Sequence, residues 1–216
     1  DADFRADNII FNQNCSEYDL LHKEKKLGKI KINVPGKHNV LNSLAAISLG
    51  IELGVSVDIL KNSIKDYNGV RRRFDIKPNK SQIMVVDDYA HHPTEIKEVL
   101  DGLKNVYKDY EKICVFQPHR ISRLKDLKKE FTCAFKNADK VILFPIYTAG
   151  EKLKLGFSYI NFAKEIIKNS RVQLFLVDDR FQLAKFIKAN IYGKKIVIGM
   201  GAGTISNWMR ELPKLL

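Results

Sequence analysis

The chain has 216 residues, 45% hydrophobic, 10% aromatic and 29% charged, proportions that exclude a disordered or collagen-like protein. Its longest strongly apolar runs, at 140–145 and 195–199, fall far short of the about 20 residues that cross a bilayer. Lysine and arginine outnumber aspartate and glutamate 37 to 25, and the net charge of +12 favours anionic partners, either nucleic acid or phosphorylated small molecules.

The chain begins at Asp1 with no apolar signal segment behind it, the look of a cut inside a longer chain. Three strand-like stretches come first: Asn8–Phe11, Tyr18–Leu21 and the cleanly alternating Lys29–Val34. Turn-prone 12–14 and the Gly28 region separate them. Pro35-Gly36 closes this part. A helix is expected from about His38 to Leu53, with Gly54 as its stop, and a second from Ser56, a good N-cap, to about Asp66. After about residue 78 the texture changes to strand-then-helix alternation. Strands are predicted at Ile83–Asp87, Ile113–Phe116, Val141–Pro145, Val172–Val177 and Ile196–Met200. Helices are predicted near 93–109, 122–137, 158–169 and 180–190, with a last one after Thr204. Short apolar strands between amphipathic helices imply a parallel sheet covered on both faces, an open, doubly wound α/β domain. Cys15, Cys114 and Cys133 are far apart and form no CxxC pair, which fits a reducing cytoplasm better than a disulfide framework or a cysteine-rich zinc site.

In such a sheet, ligands bind beyond the carboxyl ends of the strands. The first of these loops reads Asp87-Asp-Tyr-Ala-His-His-Pro-Thr-Glu95, in which Pro93 suits the first turn of a helix and Glu95 the positive end of its dipole. Capping by an aspartate and a histidine explains two of its polar residues and leaves the others for a ligand. A metal site built from His91, His92 and the aspartates is hindered by the divergent directions of adjacent histidines. The second loop, Phe116-Gln-Pro-His-Arg120 with Arg123 beyond it, can present two guanidinium forks to a carboxylate or phosphate; its structural alternative is pairing with Asp126 or Glu130. Asn39 and Asn42 could both hydrogen-bond a heterocycle edge, although Asn39 also suits an N-cap. Arg71-Arg72-Arg73 reads as a solvated charge run or a phosphate clamp. Gly199-Met-Gly-Ala-Gly203 lacks the full dinucleotide spacing and reads as tight packing at least as readily as phosphate cradling. No Walker A motif is present.

Six strings occur in one order: Pro35–Asn42 with Ala45-Ala46, Gly69–Phe74, Asp87–Glu95, Phe116–Arg120, Tyr147–Glu151 and Gly201–Gly203. In that order the sequence resembles the Mur ligases, ATP-dependent enzymes that build the peptidoglycan stem peptide by amide formation. The resemblance implies that residues 1–76 are the C-terminal part of a central α/β ATP-binding domain and that 77–216 form a Rossmann-like, mainly parallel amino-acid-binding domain. It further implies a bacterial, cytoplasmic ligase in which ATP phosphorylates a muramoyl carboxylate and an amine attacks the acyl phosphate with Mg2+ assistance. The main metal ligands and the P-loop would then lie outside this chain. By matching positions, His38, Asn39 and Asn42 hold the adenine, Arg73 the ATP phosphates and Asp88 the ribose. His91 lies near the reacting phosphate, and Tyr89, Arg120 and Arg123, with His119 as neighbour, form the amino-acid site. Arg71 stands where relatives usually have glycine, which leaves open which of Arg71–Arg73 meets phosphate. Ala90 replaces a glycine common in the alanine-adding members. The Phe116–Arg120 string favours those members, which join L-alanine to UDP-N-acetylmuramate, over the tripeptide-recycling ones. The rival classes are a basic polyanion-binding module, disfavoured because few aromatics interleave with the basic runs, and a dinucleotide-binding oxidoreductase domain resting on the last glycine-rich turn alone. The expected partners are thus ATP, UDP-N-acetylmuramate and L-alanine, with neither nucleic acid nor membrane.

Overall fold

Alternating polarity near the start of the chain builds a three-stranded antiparallel sheet, β1 (Phe4–Phe11), β2 (Ser16–His22) and β3 (Lys25–Ile32), in sequential order. In the computed structural model, residues 2–13, 15–77, 83–152 and 157–216 are described. Tyr18 and Leu20 on β2, and Ile30 and Ile32 on β3, share one face because side chains alternate along a strand. That face is buried under α1 (Lys37–Glu52) and α2 (Val57–Lys65), with Val40 and Ile47 of α1 completing the core. Two details depart from the sequence expectation. Gly28 does not separate strands: it lies inside β3 opposite Leu20, at φ 143, where the register slips by one residue. The chain reverses instead at Lys23-Glu24, with Lys23 in the left-handed region. The third strand also ends at Ile32, short of Val34, and part of the expected 12–14 turn, Asn14, lies outside the described residues.

The chain divides after Gly69 into two units. The second contains β4 (Asp75–Lys77), β5 (Ile83–Asp88), α3 (Pro93–Val106), β6 (Glu111–Phe116), α4 (Ile121–Asp126), α5 (Lys128–Cys133), β7 (Lys140–Leu143), α6 (Tyr159–Ser170), β8 (Gln173–Leu176), α7 (Arg180–Ala189), β9 (Lys195–Met200) and α8 (Ile205–Leu215). All five predicted strands are present and parallel, in the sheet order β4-β5-β9-β6-β7-β8. Strand alternation divides the apolar residues between two layers. Val86, Cys114, Phe116, Val141 and Ile198 pack against α3, α5 and α6, while Val85, Val115, Ile142 and Val197 pack against α7 and α8. The result is the helix–sheet–helix sandwich of a doubly wound domain.

The strand β4 was not foreseen; three residues, Asp-Ile-Lys, carry no readable period. It pairs antiparallel with β5 at the sheet edge, so the segment before the expected 76/77 junction already belongs to the second unit. The single helix expected over 122–137 is two, broken at Leu127 (φ −114, ψ 28) without a glycine or proline to announce it.

The sheet order sets the carboxyl tips of β5, β9, β6 and β7 side by side. Backbone bonds carry the ladder past those tips: Gly201 N–H to the Asp88 carbonyl (3.3 Å), Gln117 N–H to Met200 (3.1 Å) and Phe144 N–H to Phe116 (2.9 Å). No helix among the described residues is long and apolar enough to cross a membrane.

Candidate functional site

The β5 tip sends its two aspartates inward. Asp88 is 3% exposed and accepts the Phe74 N–H on one oxygen and the Ala90 N–H on the other, each at 2.8 Å. Burial pushes its carboxyl up to about 6, against the pull of those two N–H groups and of Arg73. Asp88 therefore braces the 72–74 turn, with both carboxylate oxygens engaged by the chain itself. Asp87 is also buried and accepts the Ser206 hydroxyl of α8.

The next residues turn outward. His92 caps α3 by accepting the Thr94 N–H, Pro93 opens the helix, and Glu95 accepts the backbone N–H groups of His91 and His92 at 3.0 and 3.1 Å. Burial pushes the Glu95 carboxyl up, but those two donors and the charges of His91 and Arg73 outweigh it and hold it below its ordinary value. His91 places Nδ1 2.9 Å from the Tyr89 carbonyl. A carbonyl only accepts, so the Nδ1 that faces it carries a proton.

Aromatic rings then link three strand tips. Tyr89 lies edge-on to His91 (5.1 Å between centroids), His91 edge-on to His119 (5.9 Å), and His119 stacks on Tyr147 (5.4 Å, 17°). The β6 and β7 loops are stitched by Tyr147 N–H to the Pro118 carbonyl (2.8 Å) and Arg120 N–H to the Tyr147 carbonyl (2.9 Å). Arg120, exposed, takes a left-handed φ of 68 just before α4; Arg123 lies one turn on and is half-buried. Burial lowers the His119 pKa first, and nearby Arg123, His91 and Arg120 lower it further against the opposing pull of Glu151.

At these strand tips His119 Nδ1, Arg123 Nη1 and Arg72 Nε are buried with no hydrogen-bond partner, as is Asp87 Oδ1. A guanidinium donor removed from water without an acceptor is costly, and an anion is the natural remedy. The alternative partners Asp126 and Glu130 make no ion pair with either arginine among the described residues. Two residues to which the sequence reading gave no bracing role hold the cluster together. Glu151, 30 residues along the chain from Ile121, binds the first turn of α4. Arg72 sets its guanidinium carbon 4.6 Å from the Tyr89 ring centroid and donates from Nη2 to the Gly201 carbonyl at 2.9 Å. The three consecutive arginines thus divide: Arg72 is engaged within the unit, while Arg71 and Arg73 are exposed.

The glycine-rich turn after β9 is packed from within the unit. Gln117 Oε1 accepts the Ile205 N–H at the start of α8 (3.0 Å), and its Nε2 donates to the Thr204 hydroxyl (3.0 Å). A Cβ on Gly203 would stand 2.6 Å from that Oε1 and 2.8 Å from the Tyr147 ring; on Gly199 it would meet Met209. These glycines serve close helix–strand packing, and no signal for the Gln117 plug was visible in the motif itself.

In the first unit, Asn39 and Asn42 line a groove of about 230 Å³ with Ile32, Val34, Ser43, Ala46, Ile64 and Tyr67. Gly36, not Asn39, is the N-cap of α1; the Asn39 amide donates to the Pro35 carbonyl (2.7 Å), which leaves its carbonyl oxygen to the groove side of its chemistry. His38, half-buried, lies against the Gly36 turn. Among the described residues no three His, Cys, Asp or Glu side chains gather to hold a metal.

The mainly parallel six-stranded sheet with helices on both faces and loops gathered at its strand tips defines a class, the doubly wound α/β domain. Residues 72–203 match the family description "Mur ligase, glutamate ligase domain" and residues 1–50 match "Mur ligase middle domain". The chain belongs to the Mur ligase family. It is 56% identical, over its full length, to 47% of a UDP-N-acetylmuramate–L-alanine ligase of Pelagibacter ubique, and 40% identical, over 94% of its length, to 44% of one from Dictyoglomus turgidum. Its fold matches a crystal structure of UDP-N-acetylmuramate–alanine ligase from Thermotoga maritima (TM-score 0.81, 26% identity, 99% of this chain and 46% of that one). It also shares the fold of MurF from Acinetobacter baumannii (TM-score 0.74, 18% identity, 98% and 45%). The chain spans about half the length of these relatives.

Proposed function

We propose that this chain supplies the amino-acid-binding half of an ATP-dependent ligase that joins L-alanine to UDP-N-acetylmuramate. The reading gives ATP the task of phosphorylating the muramoyl carboxylate; the alanine amine then attacks the acyl carbon, and phosphate leaves from the tetrahedral intermediate. Catalysis of this kind depends on positioning and on charge stabilisation.

The observation that carries the reading is the buried, unpartnered Nη1 of Arg123 beside His119 and exposed Arg120. A carboxylate there would answer the orphaned cation, and bidentate guanidinium–carboxylate geometry selects an amino acid by its acid end. Tyr89 would wall the side-chain end of the site. His91 would face the reacting centre, its Nε2 available to take a proton from the ammonium that must become a nucleophile. Arg73, exposed and 5.6 Å from the Tyr89 ring, is the arginine of the run suited to phosphate, because Arg72 is already committed to Gly201. Considered by itself, the first unit offers the Asn39–Asn42 groove to a purine edge, with His38 nearby. Mg2+ would serve the phosphates, but the described residues form no site for it and none of these steps is assigned to it. A bacterial, cytoplasmic setting accompanies the reading, and the free state of Cys15, Cys114 and Cys133 supports it.

The test is phosphate release by the full-length enzyme. L-alanine should sustain turnover and a muramyl tripeptide should not; the reverse would favour the recycling ligases. Arg120→Ala should raise the KM for alanine at least about tenfold with little change in the KM for ATP. Unchanged alanine kinetics would remove the amino-acid site from these loops.

A further inference from the structure

The helix α4 has six residues, too few to hold itself, and its N-cap, Arg120, supplies no side-chain bond to the open N–H groups. Glu151 answers two of them. One of its oxygens accepts the N–H of Ile121 (2.7 Å) and of Ser122 (3.0 Å), and the other accepts the Ser122 hydroxyl (2.6 Å). The Arg120 N–H is meanwhile held by the Tyr147 carbonyl, four residues before Glu151. Arg120 is thus locked on both sides in a left-handed conformation that a non-glycine residue adopts only under constraint (φ 68). Arg123 rides on the single turn that Glu151 anchors. Glu151 makes no ion pair with either arginine among the described residues, so its charge sits at the positive end of the helix and leaves both guanidiniums to an outside acid.

We infer that Glu151 is a positioning residue, the clamp that fixes Arg120 and Arg123 for the incoming amino acid's carboxylate; the inference rests on the amino-acid site proposed above. It acts through hydrogen-bond acceptance. Glu151→Gln keeps an oxygen for the two N–H groups and an amide for the Ser122 hydroxyl, whereas Glu151→Ala keeps neither.

The experiment is steady-state kinetics of the full-length enzyme with alanine and ATP varied in turn, for E151A, E151Q, S122A and R123A. E151A should raise the alanine KM about tenfold with kcat and the ATP KM within about twofold; E151Q should return to within about threefold of the native enzyme; S122A should raise the alanine KM about threefold. If R123A raises the alanine KM and E151A does not, the site stands and the clamp is wrong. Equal rises in the KM of both substrates in E151A mean general disruption and also overturn it. E151Q as impaired as E151A makes the charge, not the positioning, decisive, and contradicts the inference. Should E151A not fold, S122A decides: no rise in its alanine KM ends the proposal. If R123A and E151A both leave alanine kinetics untouched, the amino-acid site falls and the clamp with it.

Discussion

Two helix starts at the same edge of the sheet meet opposite fates. The turn into α8 has the glycines that suggest a phosphate cradle, yet Gln117 caps its first N–H group and the glycines admit Tyr147 and Met209. The turn into α4 has no glycine, yet Arg123 beside it keeps a buried donor unanswered and Arg120 stands exposed. The difference teaches that a ligand site is better marked by polar atoms the fold leaves unsatisfied than by the flexibility of its backbone.

Substitutions can break that comparison. The largest effect is expected at the open site: Arg123→Ala should raise the alanine KM of the full-length enzyme about a hundredfold, because it removes a charge-assisted contact in a dry setting, and ATP kinetics should hardly move. At the closed one, Gln117→Ala should lower unfolding stability by about 1–2 kcal/mol, read by denaturant titration, through loss of the α8 cap and an orphaned Ile205 N–H. Alanine kinetics changed as strongly by Gln117→Ala as by Arg123→Ala would erase the distinction.

Asp88 sharpens the comparison by pH. Its folded pKa, about 6, lies above the ordinary 3.8, so between those values the folded state binds more protons than the unfolded one. Stability from this group is complete below about pH 4 and is lost as pH rises through 6. The stability of the native chain relative to Asp88→Asn should therefore fall between pH 4 and 7; a gap that stays constant would show that Asp88 does not titrate in this range. A smaller effect is expected in the first unit, where Asn42→Ala should raise the ATP KM about fivefold and leave the alanine KM alone.

Much of this was legible from local pattern. Continuous apolar strands gave the parallel sheet, and the His92-Pro93-Thr94-Glu95 run gave a helix start, because caps are written within four residues. The convergence of Tyr89, His91, His119 and the arginines followed from the rule that strand tips gather, without any knowledge of strand order. What escaped the sequence was set at a distance. Whether Asp88 points in or out depends on the Phe74 N–H, 14 residues earlier. Gln117 reaches Ile205, 88 residues on, and Glu151 reaches back 30 to Ile121. Neither partner is visible until the sheet brings the loops together. Likewise the three-residue edge strand β4 and the break at Leu127 leave no period or breaker residue to read.

The most direct test is a crystal structure of the full-length enzyme with L-alanine bound. The carboxylate should lie within hydrogen-bond distance of Arg123 Nη1, with Arg120 on the same acid group. Alanine held elsewhere, with that nitrogen still unpaired, would contradict the account.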